Sequence, residues 1–168
     1  MKKELPINTD DFPTVINNGF YFVDKSMFIA EALGKRGDSK LILRPRRFGK
    51  SLNMSMLKSF LEIGSPKELF DGLAISKHAD LCEAHQGKYP VIFISFKDMT
   101  ARSFPDALEA VGLRISEEAK RLGIGKGCSE LDDDENAVFS RMSAMHAKEN
   151  DIVRSIKLMS IALQRRYG

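Results

Sequence analysis

The sequence predicts an α/β fold, and three observations point to it. A short apolar run, Leu41–Leu43, leads into a basic loop and then into an amphipathic segment from Ser51 to about Ile63. A second run, Tyr89–Phe96 (YPVIFISF), is β-branched, aromatic and nearly continuous in apolar character. Such a run suits a strand covered on both faces, as in a parallel sheet. It too is followed by a helical pattern, which starts at Ser103. Strand–loop–helix followed by strand–helix reads as a doubly wound unit with a mostly parallel sheet.

The elements follow in order. Residues 19–23 (GFYFV) predict a short aromatic strand or extended entry, after which Asp24 or Ser26 caps a helix through about Leu33. Residues 35–39 (KRGDS) are a turn, Leu41–Leu43 a buried strand and Arg44–Lys50 a loop. In the helix after the loop, Leu52, Met56 and Phe60 recur at helical spacing and form the face that packs on the sheet; Gly64 is its stop. The helix from Ser103 keeps Leu108, Val111, Ile115 and Leu122 in register and ends at Gly123. A polar, acid-rich loop reaches Glu135, a helical region runs from about Asn136 to His146, and a last helix covers about Asp151–Arg166. That helix carries Ile152, Ile156, Met159 and Leu163 on one stripe. Only two core strands are visible, where sheets usually hold about four to six, so the domain is expected to be incomplete.

Composition narrows the class. At 168 residues the chain is long enough for one domain with a hydrophobic core. An apolar share of 43% and a charged share of 29% exclude wholesale disorder. A net charge of +3 is too small to argue for nucleic acid by itself, but the charge is uneven: Arg44, Arg46, Arg47 and Lys50 cluster. Cys82 and Cys128 form no CxxC pair, so neither a disulfide framework nor a zinc ribbon is indicated. The opening MKKELPINTDDF has no apolar stretch of the kind a signal peptide needs, and the longest apolar runs are far short of a membrane span. A reducing, cytoplasmic setting without a membrane partner is expected.

The loop carries the chemistry. A phosphate-binding loop follows the pattern G-x-x-x-x-G-K-[ST] between a strand and a helix. Here the segment is Arg44-Pro45-Arg46-Arg47-Phe48-Gly49-Lys50-Ser51, with arginine at the first glycine position. Gly49 allows a tight turn and a close backbone approach to phosphate. Backbone N–H groups and the helix N-terminus favour an anion. Lys50 can reach the β- and γ-phosphates, and the Ser51 hydroxyl can coordinate Mg²⁺ bridging them. Arg46 and Arg47 add positive charge, and arginine can grip phosphate in bidentate fashion. The nucleotide-binding set is thus Arg46, Arg47, Phe48, Gly49, Lys50, Ser51 and Leu52, with ATP and Mg²⁺ as ligands. The plainer alternative is an exposed basic turn.

Several stretches together resemble a known family. LPINTDDFPTVINNGFYFVDKSMFI contains an aromatic–Val–Asp–Lys–Ser motif at Tyr21–Ser26; LILRPRRFGKSLNMSMLKSFLE, LFDGLAIS and YPVIFISFKD follow in order. They resemble the AAA-ATPase-like family, whose members carry an N-terminal P-loop domain and, usually, a C-terminal PD-(D/E)XK nuclease-like domain. The resemblance covers roughly residues 5–168. It implies an AAA-like three-layer sandwich in which Arg44 belongs to the family's own RPRRFGK loop. It also implies that 1–168 is the N-terminal part of that P-loop domain, without the Walker B strand and the nuclease-like domain. ATP binding is then expected, hydrolysis by this stretch is left in doubt, and no catalytic residue is identified. A non-catalytic interaction or regulatory module, or a nucleic-acid-associated domain, is the alternative.

Other features have more ordinary readings beside the functional ones. Tyr21, Asp24 and Lys25 either line the nucleotide pocket or form an aromatic strand and a helix cap. Asp98 is a loop cap rather than the Walker B acid. His78, Cys82 and His85 fall on one helical face, but no fourth zinc ligand accompanies them. Asp132–Glu135 is a solvated loop feeding charge into the next helix.

Overall fold

Hydrogen bonding overturns the expected sheet. The computed structural model describes residues 3–7, 9–34, 39–43, 45 and 48–168. Among the described residues, β pairing is limited to one isolated parallel bridge between Glu62 and Tyr89. The regular structure is helical: α1 Phe12–Asn17, α2 Met27–Gly34, α3 Lys50–Leu61, 3₁₀ turns at Lys67–Phe70 and Ala74–Lys77, α4 Ala79–His85, α5 Phe104–Arg121, α6 Asp133–Ser143 and α7 Glu149–Tyr167. The incomplete α/β sandwich with a mostly parallel sheet is therefore replaced by a helical chain.

The physical reason lies in what each strand-like run touches. Strand propensity measures how well a residue fits a pleated, half-buried surface, and such a surface needs a neighbouring strand. Leu41 is 83% exposed and Leu43 71%, so the face they share is left open, and only Ile42 between them is half-buried. In the second run, Tyr89 N–H donates to Leu61 O at 2.9 Å and Tyr89 O accepts from Ile63 N–H at 3.0 Å, so its pairing is with the end of α3. Further along, the Phe93 N–H donates to the Glu118 carboxylate at 2.6 Å. Ile92 and Ile94 spend their apolar surface on a helical core. The chain divides into two compact units, Met1–Val91 and Ile92–Gly168, with the boundary inside this run.

The first unit is organised around aromatic rings. Phe12, Ile29, Met56, Phe60, Phe70 and Ile75 are buried in one cluster. Phe70 lies 5.1 Å from Phe12 and 5.2 Å from Phe60, ring centre to ring centre. Each such ring contributes about 1.5–3 kcal/mol by burial. The predicted face of α3 is correct for Met56 and Phe60, with Leu52 packed at its edge, but it meets α1, α2 and Phe70 of the first 3₁₀ turn. Helix α1 has no counterpart in the sequence reading. Asp11 caps it by accepting from Thr14 N–H at 3.0 Å, Pro13 sits in its first turn, and Phe12 N–H donates to the buried Ser55 hydroxyl of α3 at 2.9 Å.

The second unit is three helices packed on one another. Ser103 caps α5 as expected, accepting from Asp106 N–H at 3.3 Å, and Gly123 follows its end at φ 67°. The acidic run closes a capping box: Asp132 accepts from Glu135 N–H at 2.8 Å and Glu135 from Asp132 N–H at 3.1 Å. On α7 the inward stripe runs through Asp151, Ser155, Met159 and Leu163, whereas Ile156, expected inside, is 41% exposed. Gly112 permits a close approach, since a Cβ there would lie 2.9 Å from Ala147 Cβ.

Charged side chains finish this unit. Arg141 forms a two-pronged pair with buried Asp151, at 2.9 and 2.5 Å, and holds that carboxyl below its usual range. Arg166 donates to Glu130 at 2.6 Å and to the Leu122 carbonyl at 2.7 Å, so the last helix fastens the end of α5. That pairing, with a thiol hydrogen bond from Cys128, holds Glu130 far below the ordinary carboxylate range. Among the described residues, no helix is long and apolar enough to cross a membrane.

Candidate functional site

Gly49 takes φ 76° and ψ 22°, a left-handed conformation that favours glycine, and α3 begins at the next residue. The helix opens without a side-chain cap. Lys50 and Ser51 stand exposed in its first turn, and Phe48 is 59% exposed just before it. Leu52 is half-buried against the aromatic core. Arg44, Arg46 and Arg47 lie outside the described residues.

An open cleft of about 960 Å³ adjoins this turn. Phe48 and Lys50 line it together with Lys25, Glu31, Lys40 and Asn53. Lys40 also donates to the Ala32 carbonyl of α2. Glu31 and Lys40 entered no motif, because their place on this wall comes from the packing of α2, which spacing along the chain does not encode.

The Tyr21–Ser26 stretch divides in its roles. Asp24 Oδ2 accepts from Ala74 N–H at 2.7 Å, and the fully buried Ser26 hydroxyl accepts from Ile75 N–H at 3.0 Å. These two side chains therefore satisfy the N-terminal amides of the second 3₁₀ turn. Asp24 Oδ1 also accepts from Ser26 N–H at 2.8 Å. Burial works to raise the Asp24 carboxyl, but the hydrogen bonds from Ser26 and Ala74, with Lys77 nearby, outweigh it and hold the group below its usual range. Tyr21 is exposed, and its N–H donates to Glu4 O at 2.7 Å. Lys25, between the two anchored residues, lines the cleft.

The other residues singled out have structural settings. Among the described residues, no group of three or more His, Cys, Asp or Glu comes together to hold a metal. His85 Nδ1 is instead 2.7 Å from the Tyr89 hydroxyl, and Cys82 donates to Ile75 O at 3.5 Å. Burial pushes the Cys82 thiol up. Asp98 sits in a turn at φ 59°, a left-handed conformation that aspartate tolerates better than most residues.

The loop, the cleft wall and the Asp24–Ser26 anchor all fall within residues 6–157, the stretch matched by the sequence profile of the family described as Predicted AAA-ATPase. The chain belongs to this AAA-ATPase-like family. A relative described as an uncharacterized protein in the vnfD 5′ region of Azotobacter chroococcum mcd 1 is 31% identical over 124 residues. That alignment takes in 73% of this chain and 23% of the relative, so the AAA-ATPase-like chain spans about a quarter of that protein's length. No solved structure matches.

Proposed function

We propose that this AAA-ATPase-like chain binds ATP through the turn at Phe48–Ser51, with the phosphates against Lys50 and the start of α3. The observation that carries the reading is Gly49. Its left-handed backbone opens α3 with exposed Lys50 and Ser51 beside a cleft of about 960 Å³. A helix N-terminus presents N–H groups to an anion, and a lysine adjoining it supplies the countercharge. Family membership supports a nucleotide as the anion. Arg46 and Arg47 add to the same charge in sequence.

Ser51 fits a Mg²⁺ role, since its hydroxyl is on an exposed residue directly after the lysine. The ion would neutralise phosphate charge there. Phe48 offers an exposed ring on the cleft wall, suited to apolar contact with the rest of the nucleotide. The proposal is of binding; whether turnover accompanies it is a separate measurement on the same chain.

Calorimetric titration with Mg·ATP tests it. Lys50→Ala removes a charge-assisted contact and is expected to weaken binding about 10- to 100-fold. Equal affinity in the wild type and Lys50→Ala would sink the reading. Release of phosphate over many turnovers, lost in Lys50→Ala, would extend it from binding to hydrolysis.

A further inference from the structure

We infer that Lys25 is a second phosphate-contacting cation of this cleft, acting on the same polyphosphate as Lys50. The inference rests on the nucleotide reading of Phe48–Ser51. Lys25 and Lys50 come from different parts of the chain, one just before α2 and one in the first turn of α3, yet both line the same cleft. Nothing in the loop pattern requires this, because Lys25 lies outside it.

The backbone at Lys25 is held on both sides. Asp24 is fastened to Ala74 N–H at 2.7 Å and Ser26 to Ile75 N–H at 3.0 Å. Ser26 is fully buried, whereas Lys25 is exposed. An anchored main chain with an exposed ammonium limits the arc through which the long side chain swings, so less conformational freedom is lost when it meets a ligand.

Among the described residues, Lys25 makes no ion pair, although Glu31 lines the same cleft. Lys58, by contrast, pairs with Glu62 at 3.6 Å. Lys25, Lys40 and Lys50 outnumber Glu31 among the charged residues that line the cleft, which favours an anion there. A polyanion is long enough to meet more than one lysine at once. A phosphate chain is the ligand chemistry that uses both Lys25 and Lys50.

The experiment compares two ligands that share the adenosine moiety, one with and one without the Mg²⁺-bound phosphate chain. The full chain as wild type, Lys25→Met, Lys25→Arg and Lys50→Ala is titrated with Mg·ATP and with adenosine, and each variant's thermal midpoint is recorded. Lys25→Met is expected to weaken ATP binding about tenfold and to leave adenosine binding unchanged, while Lys25→Arg retains most of the ATP affinity. An unchanged thermal midpoint in Lys25→Met is expected, because the clamp uses its neighbours. ATP affinity unchanged in Lys25→Met but lost in Lys50→Ala would overturn the role of Lys25 and leave the loop standing. Unchanged affinity in Lys50→Ala would bring down the loop reading itself. Equal losses in Lys25→Met and Lys25→Arg, with lowered midpoints, would assign Lys25 to holding the fold and overturn the inference.

Discussion

The arginine pairs of one unit and the cleft lysines of the other put positive charge in different settings. In Ile92–Gly168, Arg121, Arg141 and Arg166 each close on a carboxylate of their own unit, Glu118, Asp151 and Glu130. In Met1–Val91, Lys25 and Lys50 stand exposed on a cleft wall. The first unit is held by rings and by side chains that hydrogen-bond to backbone; the second is held by helix stripes finished with ion pairs. The contrast separates charge closed in ion pairs from charge that lines an open cleft.

The largest expected effect is in the aromatic cluster. Phe70→Ala removes the ring that touches both Phe12 and Phe60, and should cost about 3–5 kcal/mol in denaturant unfolding. A cost below about 1 kcal/mol would show that the first unit does not depend on its rings.

Breaking the charge pair of the second unit comes next. Asp151→Asn leaves Arg141 without its carboxylate and should cost about 1–3 kcal/mol. Because Arg141 lowers the Asp151 folded value, the pair's contribution is complete above the unfolded value of about 3.9 and is lost as pH falls through the lowered folded value. Acid titration of stability should therefore show a shallower decline in Asp151→Asn than in wild type. Identical acid limbs would remove Asp151 from the account.

Smaller effects sharpen the picture. Asp132→Ala takes one half of the α6 capping box and should cost about 0.5–2 kcal/mol. Gly112→Ala sets a helix-propensity gain of about 1 kcal/mol against overpacking of about 1–3 kcal/mol at Ala147. A small net loss in thermal stability is expected, and a gain would mean that the Ala147 segment yields without cost.

What was legible in the sequence follows the range of the interactions. Ser103 and Gly123 act within a few residues, so the ends of α5 could be read directly, whereas α6 starts at Asp133, inside the run expected to be a loop. The six-residue α1 was missed although Asp11 and Pro13 mark its start locally, because so short a helix shows no apolar stripe and is completed by Ser55, far along the chain. The sheet failed for the same reason, since strand propensity cannot say whether a partner strand exists. At the candidate site, the turn around Gly49 is local and was legible. The cleft wall was not, because Glu31 and Lys40 reach it through tertiary packing.

The anchor at Asp24 and Ser26 also makes the cleft observable from outside. Its donors are the adjacent amides of Ala74 and Ile75, which lie 50 and 49 residues from their acceptors. Those two protons can exchange with solvent deuterium only when the clasp opens. Their exchange rates therefore time the opening of the segment that carries Lys25. A ligand seated against that lysine would slow both amides together, although it touches neither.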